Sequence, residues 1–213
     1  MTKKLKIKIC GIKDPLCMST ACSLNVDFVG LVFYEHSPRN ITFEIAKSII
    51  KYKKNETKIV ALTVDCNDNF LDSIFNLIRP DYFQLHGSEK VSRCLEIKKK
   101  YKTKIIKALE VKNIDTLLRD INAYKNVADL LLLDSPKSLM PGGNGKPFDW
   151  DLLNKKNIEV DWLLAGGLTE RNVHRAVNIT NAFGVDISSG VEIVKGKKSP
   201  KLIKNFVRMC RNI

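Results

Sequence analysis

Short apolar runs recur along the chain at fairly even intervals and alternate with amphipathic segments. The runs are rich in leucine and β-branched residues, a composition typical of strands that are buried on both faces of a parallel sheet. Eight runs can be marked, at residues 7–12, 28–34, 59–64, 82–86, 105–109, 130–134, 162–165 and 182–187. Their centres lie roughly 22 to 33 residues apart, which is the spacing of successive strand-plus-helix units.

Between these runs, apolar positions recur with the 3.6-residue period of a helix. Six segments show this period, at residues 43–52, 70–78, 91–101, 114–124, 172–179 and 200–210. Helix-start signals occur at Asp14-Pro15, Thr42, Ser88, Thr169 and Ser199-Pro200, and Phe148-Asp149-Trp150 is expected to open a further helix.

Eight strand-and-helix units in 213 residues predict an α/β protein with one (β/α)₈ TIM barrel that spans residues 1–213. A doubly wound open sheet is the alternative. That fold usually has fewer strands, however, and no G-x-G-x-x-G motif follows the first run.

The chain carries a net charge of +13, which suits a nucleic acid, an anionic membrane or an anionic small molecule as partner. Much of this charge lies in lysine runs at residues 51–54, 98–100 and 195–198, at predicted helix ends and loops where lysine is usually solvated. Few aromatic residues lie among these lysines. We therefore expect a small anionic partner and no nucleic acid, with a basic nucleic-acid-binding protein as the alternative from a different class.

The sequence shows no sign of export, membrane insertion or metal binding. Its basic start is not followed by the apolar segment of a signal peptide, and no run approaches membrane-spanning length. We expect a cytoplasmic protein that binds no membrane. The six cysteines form no Cys-x-x-Cys pair and the three histidines lie far apart, so we expect no metal.

In a barrel of this kind, side chains at the carboxyl ends of the strands form the active site. Cys10 ends the first run, where a thiol is a candidate base or nucleophile, although most single cysteines are inert core residues. Asp134 ends the most apolar run, where a carboxylate favours a role in chemistry over one as a helix cap or ion-pair partner. Arg39, which follows Pro38, is a candidate for a bidentate contact with a carboxylate; the alternative is a surface arginine.

Three more polar residues at strand ends are expected to contact a substrate: Gln84, His86 and Asp186. We expect Asp186 to orient a substrate hydroxyl or a neighbouring residue. His86 is expected to form hydrogen bonds at the rim of the barrel and not to bind a metal.

Loops rich in small residues follow the last three predicted strands. Glycine lets backbone N–H groups approach an anion, and barrels commonly bind phosphate after their seventh and eighth strands. The expected phosphate-binding residues are Gly142, Gly143, Asn144, Gly145, Gly166, Gly167, Ser188, Ser189 and Gly190. The alternative is a set of ordinary tight turns; a Walker A loop is excluded, since Met140 and Pro147 stand where that motif needs Gly and Ser or Thr.

Eight collinear motifs give the chain a family resemblance. They are Lys8-Ile9-Cys10-Gly11-Ile12, Phe28-Val29-Gly30-Leu31-Val32-Phe33, Ser37-Pro38-Arg39, Gln84-Leu85-His86-Gly87, Leu132-Leu133-Asp134, Gly142-Gly143-Asn144-Gly145-Lys146 with Phe148-Asp149-Trp150, Leu164-Ala165-Gly166-Gly167-Leu168, and Val185-Asp186-Ile187-Ser188-Ser189-Gly190-Val191-Glu192. Along essentially its whole length the chain resembles the phosphoribosylanthranilate isomerases of tryptophan biosynthesis. Other phosphate-binding barrels, such as indole-glycerol-phosphate synthases and sugar-phosphate epimerases, are the alternatives.

The resemblance implies one catalytic (β/α)₈ domain, monomeric or homodimeric, that works without a cofactor. The implied reaction is the Amadori rearrangement of N-(5-phosphoribosyl)anthranilate to 1-(2-carboxyphenylamino)-1-deoxyribulose 5-phosphate. By matched motif, Cys10 is the general base, Asp134 the general acid and Arg39 the contact for the anthranilate carboxylate. Asn144 departs from the family, which usually has Ser or Thr there, and a loss of that hydroxyl would weaken phosphate binding unless the loop acts through backbone N–H groups.

Overall fold

The architecture is a closed barrel of eight parallel strands, as predicted. The computed structural model describes residues 4–54, 56–136, 148–154, 156 and 158–213. The strands of the barrel are β1 (Lys6–Cys10), β2 (Phe28–Val32), β3 (Lys58–Thr63), β4 (Tyr82–Leu85), β5 (Lys104–Glu110), β6 (Leu130–Asp134), β7 (Trp162–Leu164) and β8 (Gly184–Ile187). Each strand pairs with the next, and β8 pairs with β1, which closes the sheet.

Helices surround the barrel. They are α1 (Pro15–Ser23), α2 (Phe43–Ile50), α3 (Asp68–Ile78), α4 (Val91–Tyr101), α5 (Ile114–Tyr124), α6 (Val173–Thr180) and α7 (Pro200–Arg211). Three predicted helix starts are confirmed by their caps, since the side chains of Asp14, Thr42 and Ser199 accept backbone N–H bonds from α1, α2 and α7. No helix among the described residues is long and apolar enough to cross a membrane.

Two predicted helix starts were wrong. The backbone N–H of Ser88 donates to Asp65, which ties this residue to the loop after β3, and α4 begins only at Val91. Similarly, the N–H of Thr169 donates to the side chain of Asn172, so a turn precedes α6.

The helix predicted to open at Phe148-Asp149-Trp150 is a short 3₁₀ helix, Trp150–Leu153, capped by the side chain of Asp149. A helix therefore begins where it was predicted, but it is a single short turn of 3₁₀ type.

The buried apolar side chains form three clusters, which the alternation of side chains along the strands helps to separate. Ile7 and Ile9 of β1 belong to the large core between strands and helices, whereas Cys10 packs with Val32 and Leu62 in a small cluster of its own. A third cluster fills the barrel interior with Phe28, Val60, Ile106, Leu130, Leu132, Leu163 and Ala165. The barrel is therefore a packed core, and its carboxyl end is left for polar side chains.

A two-stranded hairpin follows β8, and nothing in the sequence pattern predicted it. After a 3₁₀ turn at Ser189–Val191, strands β9 (Glu192–Val194) and β10 (Lys197–Lys198) pair antiparallel. At its turn, Gly196 has a φ of +83°, and a Cβ atom there would lie 2.4 Å from the carbonyl oxygen of Pro38. The hairpin thus packs on the loop after β2, because only glycine permits this approach.

The expectation that the lysines at residues 195–198 are solvated was wrong for Lys198. This side chain is buried because the hairpin folds it back onto Glu192.

Candidate active site

A cavity opens at the carboxyl ends of the strands and brings most of the predicted site residues together. It encloses about 470 Å³ of space not filled by protein, its open mouth included. Its lining consists of Cys10, Val32, Tyr34, Ser37, Arg39, Leu62, Val64, Gln84, His86, Asp134, Asp186 and Ser188. One wall is thus apolar, and the remaining walls carry two carboxylates, a guanidinium, an imidazole and a thiol. Such a mixture suits a substrate with an aromatic ring and charged groups.

Cys10 lies beside a buried ion pair. Lys8, two residues earlier in β1, is fully buried, and its Nζ donates to Oδ1 of Asp186 at 2.9 Å. In the register of the barrel Lys8 pairs with Asp186, and Cys10 pairs with Gly30 of β2. A Cβ atom at Gly30 would lie 2.9 Å from Sγ of Cys10 and 3.2 Å from Nζ of Lys8. The missing side chain of Gly30 therefore makes room for the thiol and the ammonium group.

The surroundings of Cys10 act on its ionisation in both directions. Burial raises the pKa of the Cys10 thiol above its ordinary value, and the negative charge of Asp186 raises it further. The positive charges of Lys8 and Lys198 act against this rise in the pKa. Burial also opposes the charge on Lys8, but the interactions with Asp186 and Cys10 together outweigh it, and the pKa of Lys8 is raised. The thiol is therefore held protonated at neutral pH, and the lysines are the groups that favour the thiolate.

Asp134 is held by the backbone on one side and faces a histidine on the other. Its Oδ1 accepts the N–H of Ser135 at 2.8 Å, and its Oδ2 lies 3.6 Å from Nε2 of His86. The other ring nitrogen of His86, Nδ1, lies 2.9 Å from Nε2 of Gln84. If the Gln84 amide donates to Nδ1, the proton of a neutral His86 sits on Nε2 and faces Asp134. The predicted residues Gln84, His86 and Asp134 thus form one connected row.

Arg39 is buried and already paired with a carboxylate of the protein. Its Nε and Nη2 donate to the two oxygens of Glu192, at 2.8 and 2.9 Å. Lys198 donates to the same Glu192 at 2.6 Å, and also to the carbonyl and hydroxyl oxygens of Ser188. Burial opposes ionisation of Glu192, but the hydrogen bonds from Arg39 and the charge of Lys198 lower its pKa to about 2. The bidentate geometry predicted for Arg39 exists, with Glu192 as its partner; a contact between Arg39 and the substrate remains a prediction.

The loops after β6, β7 and β8 lie against one another. A Cβ atom at Gly166, which has a φ of +86°, would lie 2.8 Å from the backbone nitrogen of Ser135. A Cβ atom at Gly190 would lie 2.1 Å from the carbonyl oxygen of Leu168. Of the predicted phosphate-binding residues, Ser188 lines the cavity, whereas Gly166, Gly167, Ser189 and Gly190 lie in these neighbouring loops. The other predicted residues, Gly142, Gly143, Asn144 and Gly145, lie outside the described residues.

Metal binding finds no support in the described part of the chain. No three or more side chains of His, Cys, Asp or Glu within it are grouped so that they could hold a metal ion.

Known proteins of one family match this chain along nearly its whole length. Residues 7–209 match the family model described as N-(5′-phosphoribosyl)anthranilate (PRA) isomerase. A curated N-(5′-phosphoribosyl)anthranilate isomerase from Parvibaculum lavamentivorans is 41% identical over 212 residues, which cover 97% of this chain and 98% of the relative. The chain belongs to the N-(5′-phosphoribosyl)anthranilate isomerase family. It is accordingly an enzyme, an isomerase.

Solved structures of this isomerase family agree with the barrel. The phosphoribosyl anthranilate isomerase of Thermotoga maritima superposes with a TM-score of 0.88 at 30% identity, covering 98% of this chain and 100% of that one. A phosphoribosyl anthranilate isomerase in complex with reduced 1-(o-carboxyphenylamino)-1-deoxyribulose 5-phosphate superposes with a TM-score of 0.85, with the same identity and coverage.

Three residues of the isomerase site escaped the sequence analysis: Lys8, Glu192 and Lys198. Lys8 carried a usable signal, because the alternation Lys6-Ile7-Lys8-Ile9-Cys10 places it on the same face of β1 as Cys10. Glu192 is the last residue of a matched motif, but no role was predicted for it. Lys198 stood in a lysine run, and nothing in the sequence distinguished it from its solvated neighbours.

Proposed function

We propose that the cavity catalyses the Amadori rearrangement of N-(5-phosphoribosyl)anthranilate by general acid–base catalysis, with Asp134 as the acid and Cys10 as the base. Membership of the family makes the chain an isomerase of tryptophan biosynthesis; the roles of individual residues are the proposal. The observation that carries it is that Cys10 and Asp134 line one cavity but belong to β1 and β6, which β7 and β8 separate. An acid and a base on different walls can act on two different atoms of one sugar.

The first step is opening of the ribose ring. Asp134 gives its proton to the ring oxygen, the bond between this oxygen and C1′ breaks, and the anthranilate nitrogen forms a protonated imine with C1′. Oδ1 of Asp134 is fixed by the Ser135 N–H, so Oδ2 is the oxygen placed to donate. His86 then faces the carboxylate that this step creates, and its Nε2–H would stabilise that charge.

The second step is removal of the proton at C2′. The thiolate of Cys10 takes this proton, the bonding electrons form the C1′=C2′ double bond, and the imine nitrogen becomes neutral. Protonation at C1′ and loss of the enol proton then give the ketone. A free thiol ionises at higher pH than a free carboxylic acid, so the mechanism needs the less common form of each group. Lys8, Lys198 and the positive charge of the imine next to C2′ are the groups that favour the thiolate.

Both charged ends of the substrate have candidate partners in the site. Glu192 occupies Nε and one side of Nη2 of Arg39, which leaves the outer N–H groups of the guanidinium for the anthranilate carboxylate. The apolar wall of Val32 and Leu62 suits the aromatic ring. The hydroxyl of Ser188 accepts from Lys198 and can donate its own proton, and the loops after β7 and β8 offer backbone N–H groups to the phosphate.

We also propose the wider setting of the reaction. Residues 1–213 would form one catalytic domain, a monomer or homodimer, that acts in the cytoplasm on a small anionic phosphorylated substrate without cofactor, nucleic acid or membrane. The family match over residues 7–209 supports the single catalytic domain, and the net charge of +13 suits an anionic substrate.

The test is a fluorescence assay with freshly made phosphoribosylanthranilate and the purified chain. We expect the chain to accelerate the decay of the anthranilate fluorescence. We expect Asp134→Asn, which keeps the shape of the side chain but has no acidic proton, to lower kcat about 100- to 10,000-fold while product still binds. Turnover near that of the wild type in this variant would remove Asp134 from the mechanism, and no acceleration by the unmodified chain would overturn the proposed reaction itself.

A further inference from the structure

Lys8 is a fully buried lysine in a barrel interior that is otherwise largely apolar. Two other buried lysines have evident structural partners. Lys107 donates to the carbonyl oxygens of Leu85 and Gly87 and to Glu89, which ties down the loop after β4. Lys198 connects the hairpin to Ser188. The ion pair of Lys8 is instead made with Asp186, a residue that lines the catalytic cavity.

The gap at Gly30 places the ammonium group of Lys8 next to the thiol of Cys10. Sγ and Nζ lie 2.9 and 3.2 Å from the single point that a Cβ atom of Gly30 would occupy. The two atoms are therefore within roughly 6 Å of each other, a range over which opposite charges favour each other's ionised form. Both are buried, so solvent screens their interaction little.

We propose that Lys8 is the positioning residue that favours the thiolate of Cys10 during turnover, with Asp186 keeping Lys8 charged and aimed at the thiol. The inference rests on the role of Cys10 as the general base. Asp186 has two opposed effects, because it anchors the cation and also places a negative charge near Cys10. The charged groups that act on Cys10 are Lys8 on β1, Asp186 on β8 and Lys198 on β10, whereas its neighbours on β2 and β3, namely Gly30, Val32 and Leu62, are uncharged.

The direct test is the pH dependence of Cys10 alkylation in the free enzyme. Iodoacetamide reacts with the thiolate, and mass spectrometry of the Cys10 peptide separates this thiol from the five other cysteines of the chain. The rate of alkylation is measured between pH 7 and 11. In Lys8→Met we expect this rate curve to shift to higher pH by about 1 pH unit or more, so that the rate at pH 8 falls about tenfold. A loss of access would lower the whole curve, including its upper plateau, and would not move it along the pH axis.

Lys107→Met is the matched control, because it also removes a buried and ion-paired lysine, but one whose partners lie at the end of β4 and in the loop after it. We expect its alkylation curve to coincide with that of the wild type. An unchanged curve in Lys8→Met, or an equal shift in Lys107→Met, would overturn the inference.

Two further measurements cover the remaining outcomes. If Lys8→Met does not fold because Asp186 is left unpaired, Lys8→Met combined with Asp186→Asn removes both charges, and a smaller shift in the same direction is expected. In the assay of turnover, part of the activity lost in Lys8→Met should return as the pH rises, which a purely structural role would not produce. Since alkylation is measured without substrate, it tests the coupling of Lys8 to Cys10 separately from the role of Cys10 as base.

Discussion

Replacing Glu192 with glutamine should destabilise the protein in a pH-dependent way. Glu192 is buried and accepts four hydrogen bonds, from Nε and Nη2 of Arg39, from Lys198 and from the N–H of Gly196. Glutamine keeps the size of the side chain but has one acceptor oxygen. The NH₂ group of the glutamine would then face N–H donors in place of an acceptor oxygen. Arg39 and Lys198 would also lose the negative charge that lies between them. The variant therefore loses hydrogen bonds and leaves buried cations uncompensated.

The magnitude follows from the pKa of Glu192. Hydrogen bonds from Arg39 and the charge of Lys198 overcome the effect of burial and lower this pKa from 4.5 to about 2. This lowering of the pKa corresponds to roughly 3 to 4 kcal/mol of folding free energy. Because the pKa of the folded state is the lower one, this contribution is complete above pH 4.5 or so. It is lost progressively as the pH falls from that value towards about 2.

The assay is urea unfolding of the wild type and Glu192→Gln at pH 7, 5, 4 and 3. We expect the wild type to be more stable by about 3 kcal/mol at pH 7 and by less than half of that at pH 3. Glu159→Gln is the control, since Glu159 is exposed and its ion pair with Lys125 is long, at 3.5 Å. Its unfolding free energy should stay within about 0.5 kcal/mol of the wild type throughout. A difference for Glu192→Gln that is absent at pH 7, or constant down to pH 3, would refute the reasoning.

Two predictions concern the substrate. Arg39→Ala should raise KM about 10- to 100-fold through loss of a charge-assisted contact with the anthranilate carboxylate, with a smaller change in the affinity for inorganic phosphate; equal weakening of both would indicate a general electrostatic effect. In crystals grown at high phosphate concentration, the anion should lie against the backbone N–H groups of Gly167 and Ser189 or their immediate neighbours, and also of Gly143, which is outside the described residues; an anion bound elsewhere on the barrel would contradict the phosphate site.

The barrel was predictable because both of its sequence patterns are local. Strands buried on both faces appear as continuous apolar runs, and apolar positions on each helix recur with a period of 3.6, so both patterns are visible in short windows. The bounds of α4 and α5 agree with the prediction to the residue. The starts at Ser88 and Thr169 were wrong because both residues lie in the loops before the helices, where Lys90 and Asn172 are the residues that directly precede α4 and α6.

The site was predictable only as far as the ends of strands identify it. Cys10, Asp134 and Asp186 follow from the rule that carboxyl ends of parallel strands share one face. The partner of Arg39 did not follow, since Glu192 lies 153 positions further along the chain and a hairpin without an apolar pattern brings it back. Lys8 was overlooked because candidates were sought only at the carboxyl ends of the strands and Lys8 lies two residues before the end of β1, although the alternation along this strand places it on the face of Cys10.

The measurement that tests the mechanism most directly is the turnover of Cys10→Ser in the anthranilate-fluorescence assay. Serine keeps the size and hydrogen bonding of the side chain, but an alcohol ionises at far higher pH than a thiol and supplies almost no base. We predict that kcat falls about 100- to 10,000-fold, while the circular dichroism spectrum and the affinity for product stay close to those of the wild type. Turnover near the wild-type value would contradict the account and exclude Cys10 as the base.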